Sequence, residues 1–478
     1  MELLNKIITH KGYSIRKSFL REKDVEMILK YCIVEPKIDE RYKTKGDVKF
    51  SIYKESPQRY YLPREWAITK FGPADSNILS EGLDLTDAAA NFHGKPYDYQ
   101  KDIVSTYLQS QRNGLICVPC GKGKTFMALN IASQLKKRFL IVVDKEFLMN
   151  QWKGEIAGVM PNLRVGIIQA EKREADADKY DCSICMIQTL CSQTFSEDFF
   201  KSYGFTIFDE CHHLGAQHFC KSLFKIQTKK MLGLSATPTR ADGLTKVFEM
   251  FLGKPLYWEK LREADPSVRV MAVSITCQDV DYLRVPYDYK HDVIIARLLT
   301  YVVECKERDR EIVRWINKMT EEKGRKVLVL SARIAHLESI EALLPAETTR
   351  SYYIGGMKEE VRETGAKDST VLLASYSMAS EAMNIKSLNT VVLASPRSNV
   401  EQSTGRILRT RISERTVQPV IIDIIDPHSP FQSQWKRRMT YYKKCEYSIE
   451  NIQQGENEGL QKKDIVVADE NGCLFSDD

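Results

Sequence analysis

The chain contains the sequence Val118-Pro119-Cys120-Gly121-Lys122-Gly123-Lys124-Thr125 between an apolar run at 114–118 and a helical pattern at 124–136. The pattern predicts a strand, a glycine-rich loop and a helix in succession. In this setting, backbone N–H groups and the helix N-terminus cradle polyphosphate, because glycine lets the backbone approach the phosphates closely. The stretch therefore predicts a P-loop, and its strand and helix argue against a chance glycine turn.

Four residues of this loop have predicted roles. Gly121 and Gly123 would let the backbone approach the phosphates, and Lys124 would reach the β- and γ-phosphates. The Thr125 hydroxyl would hold Mg²⁺. The general pattern has glycine at the first position, where this chain has Val118.

Two adjacent carboxylates, Asp209 and Glu210, follow a second apolar run at 205–208. P-loop enzymes place an acidic residue at a strand end to hold Mg²⁺, and Asp209 fits that role. Successive side chains of an extended backbone point in opposite directions, so Glu210 could orient and deprotonate the attacking water. An exposed acidic turn is the alternative, which the preceding P-loop disfavours.

The rest of the chain alternates short apolar runs with helical patterns, which predicts parallel sheets covered by helices. We expect an α/β fold of two tandem RecA-like domains with a small N-terminal α+β accessory domain. The alternation fades at about 255–290 and then restarts with a single helix at 293–319. The predicted boundaries are 1–90 for the accessory domain, 91–265 and 266–430 for the two RecA-like domains, and 431–478 for a basic aromatic segment and an acidic tail.

Composition limits the classes of function. The net charge of +6 is compatible with a nucleic-acid partner but does not indicate one. No apolar run is long enough to span a bilayer and the first residues lack a signal peptide, so we expect an intracellular protein without a membrane partner. Zinc sites at Cys117/Cys120 and Cys182/Cys185/Cys191 are disfavoured, because these pairs lie in or beside predicted strands and suit buried thiols better.

Three segments resemble motifs II, III and VI of superfamily 2 helicases. They are Asp209-Glu210-Cys211-His212, Leu234-Ser235-Ala236-Thr237-Pro238 and Gln402-Ser403-Thr404-Gly405-Arg406-Ile407-Leu408-Arg409. The resemblance implies that Arg406 and Arg409 act as fingers on the γ-phosphate, with Gln402 beside them in the catalytic set. It also implies that Ser235 and Thr237 link the phosphate state to the nucleic acid, with a helix-capping turn as the alternative.

Further segments match the same superfamily. Tyr99-Gln100 lies where the family recognises adenine, which gives Gln100 a role in nucleotide binding. Residues at positions of the nucleic-acid motifs are Gln151, Gln188, Thr189, Gly355 and Ser375. Residues 327–332 resemble motif IV, and 375–385 resemble motif V. Motif V departs from the family at Ala382 and Asn384, which puts its coupling role in doubt.

The sequence at 233–243 resembles the branch that contains XPB and the phage UvsW helicase. The segments at 353–356 and 423–444 resemble helicases of large DNA viruses, among them poxviruses, African swine fever virus and giant viruses. The resemblance implies an ATP-dependent helicase or translocase that uses ATP and Mg²⁺, with DNA favoured and RNA also possible. It implies work in transcript release, recombination or repair, in the host cytoplasm, the nucleus or the virion, with the transcription or replication machinery as candidate partners.

Two alternatives stay open. A P-loop ATPase that uses nucleotide as a conformational switch would share the first domain but would need no arginine pair in a second one. A nuclease or a methyltransferase is not supported, because the sequence shows no metal-ligand cluster and no cofactor-binding loop. The segment 435–444 could contact nucleic acid by stacking, or could pack its aromatic side chains on the second domain.

Overall fold

The computed structural model describes residues 4–37, 49–119, 121–196, 198–215, 220–226, 228–236, 238–240, 242–259, 264–381, 383, 385, 387–408, 410 and 412–455. Several positions discussed above lie outside this set, namely Cys120, Thr237, Ala382, Asn384, Arg409 and the acidic tail from 456 onward. Within the described residues, no helix combines the length and apolarity needed to cross a bilayer.

The N-terminal domain is an α+β unit whose larger sheet has the strand order β5-β6-β2-β1-β7. Its core lies between this sheet and two helices, where Tyr13, Ile15 and Leu62 are fully buried. Its elements are β1 (Lys6–Thr9), β2 (Gly12–Arg16), α1 (Glu22–Cys32), β3 (Ile33–Val34), β4 (Phe50–Ser51), β5 (Lys54–Glu55), β6 (Arg59–Leu62), α2 (Arg64–Phe71) and β7 (Ser76–Asn77).

The first RecA-like domain is built on a sheet with the strand order β11-β10-β12-β9-β13-β14-β8-β15, parallel except at β11. Every residue of β8, β9, β12 and β13 is buried, as expected for parallel strands covered on both faces. The elements are α3 (Asp87–Ala90), α4 (Asp98–Gln109), β8 (Gly114–Cys117), α5 (Lys124–Leu135), β9 (Phe139–Val143), α6 (Glu146–Val159), β10 (Val165–Gln169), β11 (Lys172–Arg173), β12 (Cys182–Met186), α7 (Ile187–Ser192), β13 (Phe205–Phe208), β14 (Lys230–Ser235), α8 (Thr245–Leu252) and β15 (Pro255–Trp258).

The second RecA-like domain has a parallel sheet with the order β18-β19-β17-β20-β21-β16-β22. Together with the first sheet it confirms the predicted tandem α/β fold. Its elements are β16 (Arg269–Ser274), α9 (Val280–Leu283), α10 (Ile295–Glu304), α11 (Lys306–Thr320), β17 (Val327–Ser331), α12 (Ile334–Leu343), β18 (Arg350–Tyr353), α13 (Glu359–Asp368), β19 (Val371–Ser375), α14 (Tyr376–Glu381), β20 (Thr390–Leu393), α15 (Glu401–Thr404), β21 (Val420–Ile425), α16 (Ser429–Lys444) and β22 (Ser448–Gln453).

The accessory domain packs directly on the first RecA-like domain through α2. Arg64 is buried and donates a 2.8 Å hydrogen bond to the Thr228 carbonyl. The buried Glu65 carboxylate accepts from Asn113 Nδ2 at 2.9 Å and pairs with Arg112 at 3.1 Å. Asn113 immediately precedes β8, so these contacts connect the accessory domain to the strand that leads into the P-loop.

The basic aromatic segment at 435–444 belongs to the second domain, because it falls inside α16. Trp435 and Tyr442 are buried in the second domain's core. Arg438 is also buried, and its guanidinium forms two hydrogen bonds of 2.8 and 2.9 Å with the Asp423 carboxylate. Of the two sequence alternatives, packing on the second domain is the one observed. The sheet also continues past the predicted boundary at 430, since β22 pairs with β16.

Candidate active site

The loop that is predicted to bind phosphate lies between β8 and α5. Gly121 and Gly123 have φ angles of +90° and +80°, a conformation that favours glycine. A Cβ on Gly123 would lie 2.6 Å from the Gln100 side-chain amide. The positive φ of Gly123 therefore favours glycine, and the Gln100 amide fills the space beside it.

The residues predicted to recognise adenine hold the loop in place. Gln100 Nε2 and the Tyr99 hydroxyl donate to the Lys122 carbonyl at 3.1 and 3.2 Å. Gln100 Oε1 accepts from the Tyr97 N–H at 3.0 Å. Gln100 thus fixes the start of α4 and the P-loop relative to each other.

The two predicted carboxylates lie at the same edge of the sheet as the P-loop. β14 separates β8 from β13, so the carboxyl ends of these strands are close together. Lys124 Nζ is 3.9 Å from Glu210 Oε1. Glu210 has a φ of +41°, which is uncommon for a residue with a side chain and typical of functional sites.

Asp209 is held by two hydrogen bonds. The Trp152 indole N–H donates to its Oδ2 at 2.8 Å, and the Glu210 N–H donates to its Oδ1 at 2.9 Å. Trp152 was not among the predicted site residues. Its position directly after Gln151 in the helicase motif is the one sequence signal, and a separation of 57 positions from Asp209 hides the contact.

The two carboxylates have opposite pKa shifts. Burial raises the pKa of Asp209, and the neighbouring Glu210 charge raises it further. Burial also pushes the pKa of Glu210 upward, but the positive charge of Lys124, together with the nearby His212, outweighs it and lowers that pKa. Glu210 therefore stays ionised as Lys124's partner, while Asp209 holds a proton more readily than an exposed aspartate does.

Ser235, at the end of β14, lies near Glu210 through the side chain of His212. His212 Nδ1 is 3.0 Å from Ser235 Oγ and 3.3 Å from Glu210 Oε2. The Arg240 guanidinium donates to the His212 carbonyl at 2.6 Å and so holds the backbone of His212 in place. His212 thus joins Glu210 to the segment that resembles motif III.

In the second domain, Arg406 is buried among backbone acceptors. Its Nε donates to the Ala379 carbonyl at 2.6 Å and its Nη1 to the Met383 carbonyl at 2.9 Å. Both acceptors lie in the segment that resembles motif V. Gln402 lies half-buried on α15, one turn before Arg406. Arg406 therefore ties the segments of motifs V and VI together in this structure.

The predicted nucleic-acid residues lie on both domains. Gln188 Nε2 donates to the Asp144 carbonyl at 2.7 Å, and Thr189 Oγ1 accepts from the Ala170 N–H at 2.9 Å. Ser375 ends β19, with its hydroxyl 3.2 Å from that of Ser377.

A cavity of about 390 Å³ lies between α6 of the first domain and α13 of the second. Gln151 lines it from the first domain, and Tyr353 and Arg362 line it from the second. Asn150 bridges the domains here by donating to Glu359 Oε2. Gly355 follows Tyr353, and a Cβ built on Gly355 would meet open space.

Comparison with known proteins identifies both domains. Residues 93–240 match the family model of the type III restriction enzyme res subunit, and 309–412 match that of the helicase conserved C-terminal domain. A protein of Acanthamoeba polyphaga mimivirus, named as an ATP-dependent RNA helicase, is 30% identical over 456 residues, covering 93% of this chain and 86% of its own. The chain belongs to the superfamily 2 helicases.

Other similar proteins are also helicases by name. One from African swine fever virus, named as an ATP-dependent RNA helicase, is 25% identical over 427 residues, covering 80% of this chain and 79% of its own. The solved structure of T4 UvsW covers 91% of the helicase and 96% of its own chain at 18% identity, with a TM-score of 0.35.

Trp152→Phe tests the Asp209 environment. The indole hydrogen bond lowers the pKa of Asp209, so its loss raises that pKa. A carboxylate that binds a cation must be ionised, so with Asp209 in its predicted role we expect the acid limb of the ATPase pH profile to move to higher pH, with near-normal turnover above it. Trp66→Phe, in α2, is the control. An acid limb that does not move would show that Asp209 does not hold the cation.

Proposed function

We propose that the helicase hydrolyses ATP in the cleft between its two RecA-like domains and uses the energy to move along a nucleic-acid strand. The main support for this proposal is that Lys124, Asp209 and Glu210 lie close together at one edge of the first sheet. The P-loop amides and Lys124 would bind the phosphates. The match of residues 309–412 to the helicase C-terminal domain supports a second domain on the other side of this cleft.

Thr125 and Asp209 would hold Mg²⁺, and the donor set fits it because Mg²⁺ prefers oxygen ligands. The bound ion would neutralise charge on the phosphate oxygens. Glu210 would orient the attacking water and accept its proton. Its lowered pKa keeps it ionised and therefore ready to act as that base.

The second domain would complete the site with Gln402, Arg406 and Arg409. Guanidinium groups suit this role because they donate several hydrogen bonds to the charge that develops on the γ-phosphoryl group. The contacts of Arg406 with Ala379 and Met383 support a link between this site and the segment of motif V. Closure of the cleft and its release after hydrolysis would shift one domain along the strand relative to the other.

Nucleic acid would run across both domains, past Gln151, Gln188 and Thr189 on the first and Gly355 and Ser375 on the second. The net charge of +6 is modest, so affinity would come from this local track. The contacts would be directed at the phosphate backbone, which makes binding insensitive to base order and weaker at high salt.

We propose DNA as the working strand, in transcript release, recombination or repair in virus-infected cells. The preference rests on the resemblance to the XPB and UvsW branch. The mimivirus and African swine fever virus relatives are instead named as RNA helicases. Their viral origin supports a viral source for this chain, with activity in the host cytoplasm, the nucleus or the virion.

The deciding experiment measures ATPase stimulation by mixed-sequence DNA and RNA of matched length at two salt concentrations. We expect stronger stimulation by DNA, little dependence on sequence and a higher half-saturating concentration at the higher salt. Equal or stronger stimulation by RNA would overturn the DNA assignment. A strong dependence of this stimulation on base sequence would contradict binding through the phosphate backbone.

A further inference from the structure

The accessory domain carries most of the net charge of the chain. Residues 1–80 contain 16 Lys and Arg against 11 Asp and Glu, a net charge of +5, whereas the whole chain has +6. A basic excess within one small domain attracts polyanions locally, even where the charge of the whole protein is modest. The residues predicted to bind ATP or nucleic acid all lie beyond residue 90, so this charge has no assigned role.

The strand register places several of these cations on one face of the accessory sheet. Arg16 lies opposite Arg59, and Tyr61 lies opposite Ser14 on one side and Lys54 on the other. Directly opposed residues of antiparallel strands point to the same face, as do residues two apart on one strand. The alternate residues of β2 and β6 point the other way, towards the core of the domain.

Lys11 extends this group, because its Nζ lies 6.0 Å from the centre of the Tyr61 ring. We call the surface formed by Lys11, Arg16, Lys54, Arg59 and Tyr61 the accessory basic face. All five residues are at least partly exposed. The face therefore combines four cations with one aromatic ring on a surface that a ligand can reach.

The cations of the accessory basic face repel one another. Partial shielding from water lowers the pKa of Lys54, and the charges of Lys225 and Lys11 lower it further. Glu55, the residue after Lys54, points to the other face of the sheet, where its carboxylate pairs with Lys17 Nζ at 2.6 Å. An anion bound among the clustered cations would relieve their repulsion, which is the physical reason to expect a ligand on this face.

The accessory basic face continues onto the first RecA-like domain. Lys54 Nζ lies 5.3 Å from the centre of the Phe224 ring. The next residue, Lys225, donates from its Nζ to three carbonyls around the end of α7, at 2.6, 2.9 and 3.2 Å. α7 carries Gln188 and Thr189, which are predicted to contact nucleic acid. The face therefore lies beside the predicted nucleic-acid track.

We propose that the accessory basic face binds the phosphate backbone of a single nucleic-acid strand and extends the track of the motor beyond the two RecA-like domains. Cationic side chains beside an aromatic ring are the combination that single-strand binding surfaces use. Because the accessory domain packs on the first RecA-like domain, the face would hold the strand while the second domain moves. The inference rests on the proposed function as a nucleic-acid motor.

The double variant Lys11→Gln/Lys54→Gln removes two charges from the face and keeps both side chains polar. We expect its dissociation constant for a mixed-sequence single strand to rise about tenfold or more near 0.1 M salt, because two phosphate contacts are lost with their released counterions. The slope of log affinity against log salt concentration should become shallower by about 0.7 for each lysine. The half-saturating strand concentration in the ATPase assay should rise, while the rates without the strand and at saturation stay unchanged.

Lys23→Gln/Lys30→Gln is the matched control, because it removes the same charge from exposed lysines of α1, which packs on the other face of the accessory sheet. Lys11→Arg/Lys54→Arg should keep both the affinity and the salt slope, and thermal unfolding of each variant monitors the fold. The inference is overturned if the two glutamine variants bind the strand equally, since net charge alone would then explain the effect.

A duplex of the same sequence is measured alongside the single strand. A loss of affinity confined to the duplex would overturn the assignment of the face to a single strand. If the unmodified helicase binds neither form, the proposed function and this inference fail together. If it binds the strand and the glutamine substitutions at Lys11 and Lys54 change nothing, this inference alone fails.

Discussion

Lys124→Ala is expected to abolish ATP hydrolysis while leaving the fold and most of the nucleic-acid affinity intact. Lys124 lies at the start of α5, with its Nζ 3.9 Å from Glu210 and the predicted phosphate site before it. Its loss removes the cation that would meet the β- and γ-phosphates, and also the charge that lowers the pKa of Glu210. The predicted nucleic-acid residues lie on other elements.

The measurement is steady-state ATPase activity, with nucleic-acid binding and thermal unfolding measured in parallel. Lys101→Ala is the matched control, because Lys101 is an exposed lysine of the same domain that pairs with Asp98. Near-normal turnover in Lys124→Ala would rule out the P-loop as the site of hydrolysis.

Arg406→Ala and Arg409→Ala are each expected to cut turnover by about 10³-fold or more, with ATP affinity largely intact. The reason is that a guanidinium group from the second domain would stabilise charge that develops only as the γ-phosphoryl group is transferred. Turnover is measured at saturating ATP, and affinity with a fluorescent analogue. Losses of only a few-fold in both variants would favour a switch ATPase over a two-domain active site.

Thermal unfolding distinguishes the contribution of Arg406 to stability from its predicted contribution to turnover. Its guanidinium is buried and bonded to the carbonyls of Ala379 and Met383, so its removal takes a hydrogen-bond donor from each carbonyl. Such a loss costs about 1–3 kcal/mol for each group. We therefore expect Arg406→Ala to lower the melting temperature as well as turnover, and Arg406→Lys to recover part of the stability without the rate.

The P-loop and the first sheet could be predicted because their signals are local. Glycines, a preceding apolar run and a following helical pattern all lie within 114–136, and the structure has β8 and α5 at those positions. The strand that precedes Asp209 was equally clear, because all four residues of β13 are apolar or small and buried.

The contacts that organise the site could not be predicted from the sequence. Trp152 and Asp209 meet only because α6 and β13 pack together, and Lys122 and Glu259 meet only because β15 adds to the sheet beside β8. The sequence does not predict β15, because this short strand lies at the edge of the sheet. It begins with Pro255 and has no buried residue.

In the second domain, two elements differ from what the sequence predicts. The predicted helix at 293–319 is two helices, α10 and α11, which meet at Cys305, where the backbone is extended. Its apolar pattern continues across the break because both helices bury a face in the same core. β22 was missed because it is an edge strand in which only Ile452 is buried, so it lacks an apolar run.

The most direct test of the central claim is the ATPase rate at saturating ATP and Mg²⁺, measured with and without a single-stranded nucleic acid. The proposed motor predicts a clear rise in rate with the strand, lost in Lys124→Ala and in Arg409→Ala. A rate that responds to neither DNA nor RNA would contradict a nucleic-acid motor driven by ATP between two domains.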